Sequence, residues 1–558
     1  MDHLIKRFCP RTEFDSYEDF SANFRIEAPQ DFNFSFDVVD EWANVEPDKR
    51  ALVWCDDHGA EKVLTFTDVK RLSNQTANAW AKLGIKKGSV VMFVLRRRWE
   101  YWVGAVALAK LGAVIIPASM MLTTKDIVYR CQSAGVEMVV CVDDDYVISQ
   151  MEGALPECPT VRNRIVVAGE RDGWLNFDEL IADESEELSR PAGDQQTTND
   201  DTMILYFTSG TTGPPKMVRH TFTHPLGHII TARYWQQVKE NTLHLSLSDS
   251  GWAKFGWGKI YGQWICGATV FGYDMDKFVP AIVLQKIQDY KLTTFCAPPT
   301  MYRFMLQEDV ASYDLSSVEK WLTAGEPLNP EVTKQWLDFT GHRIREGFGQ
   351  TESVVLVATW PWLEPKPGSM GMPSPLYNIQ LLSDEDGHVC ADGEEGMICV
   401  TGLSKAWPPG LFRGYYHDDE RTREVFQGDH YNTGDVAWRD SDGYYFFVGR
   451  NDDVIKASGY RIGPFEVESA LIEHPAVVEC AVTGAPDPIR GIIVKATCVL
   501  AKGWEPSDAL VKELQEHVKK TTAPYKYPRV VEFVGELPKT ISGKIKRKQI
   551  RHEDGLEE

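Results

Sequence analysis

From about residue 37 to 300 the chain alternates amphipathic, helix-like stretches with short β-branched runs: VVDEWANV, VVMFVL at 90–95, VALAKLGAVIIP, VEMVVCV at 136–142 and NRIVVAG at 163–169. Continuous apolar runs of this length suit strands buried on both faces, and the helices between them supply the crossovers that parallel pairing requires. The pattern predicts an α/β fold. Between about 376 and 448 the texture changes to short alternating strands separated by DG, GEEG and GD turns, as in YNIQLLSDEDGHV and DSDGYYFFVG, which predicts a small antiparallel β subdomain. Beyond Arg450 a tail of about a hundred residues carries helix, strand, helix and strand signals, enough for a separate α+β domain. The expected organisation is a large N-terminal domain over 1–449, built of two α/β subdomains and a β-rich part at about 376–449. A short polar hinge at 450–453 and a small, mobile C-terminal domain over 454–558 follow. The chain shows no internal repeat and no low-complexity tract.

Length and charge narrow the partners. The 558 residues carry 59 Lys+Arg against 81 Asp+Glu, a net charge of 59 − 81 = −22, so a general basic field for nucleic acid is excluded and any nucleotide needs a local pocket. The 11 cysteines are scattered, with no CxxC pair, which fits a reducing compartment and predicts the cytosol. The N-terminal MDHLIKRFCPRTEFDSYEDF has no apolar core of a secretory signal, and the most apolar stretch, 102–117, is broken by Lys110 and Gly112. Neither export nor a membrane span is expected, and a homo-oligomer is compatible with the sequence.

The most informative stretch is YFTSGTTGPPKMVRH at 206–220, where an apolar strand runs into a Gly/Thr loop closed by a lysine. Gly210 and Gly213 let the backbone turn its N–H groups inward. Thr208, Ser209, Thr211 and Thr212 add hydroxyl donors, and Lys216 adds a point charge, which together suit a polyphosphate. It is not a Walker A loop, because no GK[ST] follows at the required spacing. Three decoys lie nearby or downstream. His220, His224 and His228 recur every four residues like a metal-ligand ladder, but Pro225 argues for a helix start rather than a helix interior. DEDG at 384–387 begins like a calcium loop yet lacks the glutamate that would complete it, so it reads as a hairpin turn. The basic run at 544–551 has no aromatic interleaving for nucleic acid.

TSGTTGPPK resembles the signature loop of the adenylate-forming superfamily, which includes acyl-CoA synthetases, luciferases and the adenylation domains of peptide synthetases. AGEPL at 324–328, EGFGQTE at 346–352, YNTGDVA at 431–437, GRNDDVIKASGYRIGPFEVE at 449–468 and LPKTISGKIKR at 537–547 follow in the family's order. The segment at 248–271 makes the chain most similar to the medium-chain acyl-CoA synthetase branch. The resemblance implies an ATP- and magnesium-dependent ligase that joins a carboxylic acid to AMP and then transfers the acyl group to coenzyme A. Lys544 is implied as the adenylation lysine, Glu352 as the magnesium carboxylate, and Thr351 as a contact to the α-phosphate. The ATP site is implied to include the loop residues Thr208 to Gly213 and Lys216, together with Gly325, Glu326, Pro327, Glu346, Gly347, Phe348, Gly349, Gln350 and Arg461. Asp435 would take the ribose hydroxyls with Arg450 behind it.

Asp452 corresponds to the family's hinge residue, and Ser458, Gly459 and Tyr460 to a loop that forms the pantetheine channel. Arg490, Lys526 and Arg529 are candidate cations for the phosphates of coenzyme A. By position, Trp235, Trp252, Lys254, Trp257, Cys296 and Gly349 would line or close an acyl pocket, and the bulk of the tryptophans points to a short, branched or medium-length acid. An amino-acid substrate is disfavoured, because the run GlyTrpAlaLysPhe lacks the carboxylate that would pair with an amine. Two rival readings are an adenylating enzyme that passes its acyl group to a carrier protein and a nucleotide-binding protein without turnover.

Overall fold

The computed structural model describes residues 3–208, 214–457, 460–488, 490–540 and 544–556. The expected α/β architecture is present, with two large sheets and a smaller α+β unit at the C-terminal end. One sheet has seven strands in the order Leu175–Asn176, Asn163–Val167, Met138–Val142, Val90–Val94, Val114–Pro117, β1 (Thr202–Thr208) and β2 (Lys216–Thr221). All neighbours are parallel except β1 and β2, which form a hairpin. Val90–Val94 and Met138–Val142 are buried at every residue, as the continuous apolar runs predicted. The segment that came nearest to a membrane span is a buried helix, Glu100–Leu111, ended by left-handed Gly112 and followed by the strand Val114–Pro117.

After β2 the chain forms α1 (His224–Ile229), which runs on as a π-helical turn over Ile230–Trp235, and later α2 (Ala253–Lys259). The second sheet contains β3 (Lys320–Ala324) and β4 (Ile344–Gly349) at the end of a parallel run that begins at Arg50–Asp56. Beyond β4 the pairing turns antiparallel through Val355–Ala358 and Ser369–Pro373 to β6 (Tyr445–Arg450) and its hairpin partner β5 (His430–Arg439). Antiparallel pairing therefore begins at Val355–Ala358, and it continues the parallel sheet edge to edge, giving fourteen strands in all. Backbone hydrogen bonds make this continuity, and no hydrophobic period in the sequence reports it.

The C-terminal unit packs α3 (Pro464–Ile472) and the helix Asp508–Thr521 on a sheet whose core includes Val467, Leu471, Val482, Cys498 and Leu514. It ends in α4 (Arg547–Glu553). It meets the large domain along β6 and near Asn329. Phe465 meets Phe447 edge-on at 6.4 Å, and the Asn329 side chain donates to the Ser469 carbonyl at 3.2 Å.

Candidate active site

Thr208 ends β1, Gly325 follows the last residue of β3 and Gly349 ends β4, so these candidates lie at the C-terminal ends of their strands, while Asp435 lies midway along β5. Topology explains this: in open parallel sheets the loops leaving the strand ends face one crevice. Thr208 and Lys216 are directly paired across the β1–β2 hairpin, so the Gly/Thr loop closes from one strand end to the other. Residues 209–213 of that loop, like Ser458 and Gly459, lie outside the described residues. The Lys216 ammonium sits 4.9 Å from the centre of the Tyr415 ring. The hydroxyl of the same tyrosine donates to Glu352 Oε1 at 2.9 Å. Tyr415 thus joins the two ends of the candidate phosphate site, a role the sequence did not disclose because its partners stand 63 and 199 positions away.

Glu346 and Gln350 fix the β4 loop from opposite sides. The Leu328 N–H donates to Glu346 Oε1 at 3.3 Å, and burial pushes this carboxyl up to about 8, so it is held protonated near neutrality. Gln350 receives the Tyr431 hydroxyl at 2.7 Å and donates to the Thr433 carbonyl and to Asp435 Oδ2. Asp435 is buried on β5 and paired in register with Arg450 on β6, its Oδ1 lying 3.6 Å from the guanidinium. Burial raises the Asp435 carboxyl and Arg450 opposes that rise, while the Asp435 charge raises Arg450 in turn. Gly434 makes the approach feasible: its φ is +74°, and a Cβ there would stand 2.8 Å from Arg450 Nη2.

Gly325, at φ +102°, turns the chain out of β3 into Glu326 and Pro327, and Thr300 donates to Glu326 Oε2 at 2.7 Å. Phe348 is half-buried, with Phe447 as its ring neighbour at 6.0 Å. Lys254, on α2, donates to the Ala324 carbonyl at 2.6 Å, and burial lowers its pKa. Lys544 is exposed on the tail, its N–H bonded to Thr540 Oγ1 at 3.1 Å, and its charge acts on both Lys254 and Asp435. The tail in this arrangement therefore faces the crevice with its lysine side.

Trp235 and Trp257 are buried and perpendicular, their ring centres 6.4 Å apart. Each lies against a bare backbone segment of β4: a Cβ on Gly347 would come within 2.4 Å of the Trp235 ring, and one on Gly349 within 2.3 Å of Trp257. These glycines supply the room that the indoles fill. Cys296 is buried on the neighbouring strand Thr294–Ala297, and Trp252 caps the start of α2, partly exposed.

The remaining candidates are dispersed on the C-terminal unit. Tyr460 stacks on Tyr525 at 4.1 Å, Lys526 is already ion-paired with Glu466, Arg529 donates to the Tyr527 hydroxyl at 2.8 Å, and Arg490 is exposed. Arg461 reaches Asn451 Oδ1 at 3.3 Å. At the junction, Asp452 lies 3.7 Å from Arg450, but its neighbour Asp453 holds the tail more firmly, through Arg551 at 2.5 Å and Arg547 at 3.9 Å. Arg547 also grips Glu468 with two nitrogens. The DEDG segment is the expected turn, with Ser383 accepting Gly387 N–H at 3.0 Å. Among the described residues the one cluster of metal-type ligands is His388, Cys390 and Glu394 beside that turn, where the imidazole already meets Asp386 and Glu394.

The histidine row begins a helix at Pro225, as expected, and adds a contact that the sequence does not report. Pro225 does begin α1, yet the three rings still meet, because His220 arrives from β2 and His224 and His228 stand one turn apart on α1. His220 and His224 are 3.9 Å apart ring to ring, His224 and His228 share a 3.1 Å Nε2···Nε2 hydrogen bond, and His220 Nε2 lies 2.7 Å from the Thr351 carbonyl.

Comparison with known proteins agrees with this geometry. Residues 39–416 match the AMP-binding enzyme family, and residues 466–544 match the AMP-binding enzyme C-terminal domain. The acyl-coenzyme A synthetase ACSM3, mitochondrial, of Mus musculus is 42% identical over 97% of this chain and 94% of its own. The human acyl-coenzyme A synthetase ACSM4, mitochondrial, is 43% identical over 96% of this chain and 93% of its own. The anthranilate CoA ligase AuaEII, solved with anthranoyl-AMP, superposes with a TM-score of 0.87 at 30% identity, covering 95% of this chain and 98% of that one. A benzoate CoA ligase from Burkholderia xenovorans LB400 superposes with a TM-score of 0.80 at 26% identity, covering 93% and 100%.

Proposed function

Because the chain belongs to the AMP-binding enzyme family and is most similar to medium-chain acyl-CoA synthetases of the ACSM type, we propose that it is an ATP-dependent acyl-CoA synthetase. It activates a short, branched or medium-length carboxylic acid as acyl-AMP, releases pyrophosphate, and transfers the acyl group to coenzyme A. The observation that carries this reading is the exposed Lys544, whose charge bears on Asp435 on one side of the crevice and Lys254 on the other.

The chemistry explains why a cation belongs there. Attack of a carboxylate on the α-phosphate brings two anions together and adds charge to the phosphoryl oxygens and to departing pyrophosphate, so fixed positive charge and N–H donors lower the barrier. Lys544 serves the carboxylate and α-phosphate, Lys216 and the loop before it the outer phosphates, and Thr351 the α-phosphate. Asp435, held by Gln350 and Arg450, takes the ribose hydroxyls. The base lies by the Gly325–Pro327 turn and Phe348. Glu352, fixed by Tyr415, is a hard oxygen donor suited to magnesium, which when bound neutralises phosphate charge.

The second half-reaction needs a different face of the tail. Thiol attack on acyl-AMP requires room where Lys544 stood, so the unit beyond the 450–453 hinge turns and offers the loop at Ser458, Gly459 and Tyr460, with Arg461 toward phosphate. Arg490 and Arg529 are the freer cations for the phosphates of coenzyme A, since Lys526 is paired with Glu466. Trp235 and Trp257, seated against Gly347 and Gly349, shorten the acyl slot, which favours compact acids over long straight chains. The eleven cysteines are free and buried, in keeping with a reducing compartment such as the cytosol. Among the described residues no helix is long and apolar enough to cross a membrane.

Pyrophosphate exchange across a panel of carboxylic acids, followed by AMP release with and without free coenzyme A, tests the reading. Acid-dependent exchange with coenzyme A-dependent AMP release is expected. Exchange without a coenzyme A response would assign the acyl group to another acceptor, and no exchange with any acid would refute adenylation.

A further inference from the structure

Buried polar atoms in folded proteins nearly always find a partner, so a group of them without one asks what they are for. The helix that follows β2 concentrates such atoms on one face. His224, His228, Thr231 and Trp235 recur at spacings of four, three and four, and all are buried. Among them His228 Nδ1, Thr231 Oγ1 and Trp235 Nε1 have no hydrogen-bond partner, and neither has Nδ1 of His220, whose ring lies tilted against that of His224 at 3.9 Å. This face adjoins Trp257, a candidate acyl-pocket residue: the Trp257 ring lies 6.2 Å from that of His228 and 6.4 Å from that of Trp235. The helix changes to π-helical winding at Ile230–Trp235, a distortion frequent at functional sites.

The available bonding can be worked out. His220 Nε2 faces a carbonyl oxygen, so it carries the proton and its Nδ1 is a bare acceptor. Trp235 Nε1 can only donate, while the Thr231 hydroxyl can do either. Burial keeps the rings neutral: His220 is pushed down to about 4, His228 to about 3, and His224 well below its usual range. The face therefore offers uncharged donors and acceptors side by side. A charged group would find no counter-ion there, and a plain hydrocarbon would leave every one of these atoms unpaired.

We infer that this helix face reads a neutral hydrogen-bonding substituent, a hydroxyl or an amino group, on the body of the carboxylic acid that the slot receives. The inference rests on the acyl-activating reading above and narrows its substrate class to compact hydroxy- or amino-substituted acids. A site built to bond such a group discriminates strongly against the analogue that lacks it, because its own polar atoms are then stranded.

Matched acids test it with the full-length protein: benzoate against 3-hydroxybenzoate and 2-aminobenzoate, and 3-methylbutanoate against 3-hydroxy-3-methylbutanoate. In coenzyme A-dependent AMP release, the substituted member of at least one pair is expected to have the higher kcat/KM, by about tenfold or more. The near-isosteric Thr231→Val and the larger change His228→Leu should each reduce that preference by about tenfold. Preference for the unsubstituted acid in every pair, or a preference that survives both substitutions, would overturn the inference and leave the acyl-CoA synthetase reading intact. So would a Thr231→Val protein that merely melts higher with unchanged selectivity, since it would show that the orphan hydroxyl serves no ligand. If no acid releases AMP, the proposed reaction fails. Calorimetric binding of the same pairs then decides, tighter binding of the substituted acid supporting the inference and equal or absent binding overturning it.

Discussion

The crevice of the large domain and the tail that faces it are built on opposite principles. Asp435, Glu346 and the histidines at 220, 224 and 228 are buried, and Gln350 and Arg450 both tie Thr433 to Asp435, with Gln350 also holding Tyr431. Such a network is paid for during folding and needs no reorganisation when a nucleotide arrives. Lys544 by contrast is exposed; among the described residues its unit meets the large domain through contacts that include the Phe465–Phe447 rings and the Asn329–Ser469 hydrogen bond, and it pairs Arg547 and Arg551 with Asp453 at the junction. A buried binding surface beside an exposed cation is the arrangement that the proposed two-step reaction calls for.

The contrast can be broken at several points. The largest effect is expected from Arg547→Ala, which strands Glu468, a buried carboxylate bonded to the guanidinium and to the Val482 N–H. Removing one partner of such a pair costs about 3–5 kcal/mol. Hydrogen exchange should show the loss in the C-terminal unit, with the large domain's protection retained. If both lost protection equally, the two regions would be one cooperative body. Asp435→Ala should next weaken ATP binding by about 10²-fold, the scale of a lost charged hydrogen-bonding group, with little change in tail protection. ATP titration by fluorescence or calorimetry checks it.

Smaller and slower in pH are two titration effects, both confined to the large domain. His220, His228 and His244 are pushed down to about 4, 3 and 3, so the unfolded chain binds protons that the folded one refuses. Stability should therefore fall as pH drops from about 6.5 toward 4. Glu346 has the opposite sign: raised to about 8, it keeps a proton that the unfolded chain loses above its ordinary pKa, so its contribution declines as pH rises from about 4.5 to 8. Urea titrations across this range should show a maximum at about pH 6.5, and Glu346→Gln should flatten the limb above it and steepen the fall between about 6.5 and 4.5.

The sequence discloses the fold class because parallel strands buried on both faces leave continuous apolar runs. It discloses the candidate nucleotide residues because they lie in short motifs at strand ends. Contacts between distant segments were less accessible. Tyr415 serving Glu352 and Lys216, and Asp453 serving Arg547 and Arg551, depend on side chains brought together only by the folded topology. A hint existed for the second: an acidic pair at 452–453 and a basic run at 544–551 are complementary in charge, although such runs are usually solvated. In the histidine row Pro225 begins a helix, as the sequence indicates, and the sequence does not report that the rings nevertheless meet. Pro225 rules out one continuous helix through all three residues, but a strand end followed by a helix start brings the rings together just as well.

The division of labour between crevice and tail is tested most directly by Lys544→Ala with the two half-reactions measured separately on one preparation. Acid-dependent pyrophosphate exchange should fall by about 10²–10³, the cost of losing one transition-state donor, while thioester formation from supplied acyl-AMP and coenzyme A proceeds at close to the parent rate. An equal loss in both steps, or none in the first, would contradict the account.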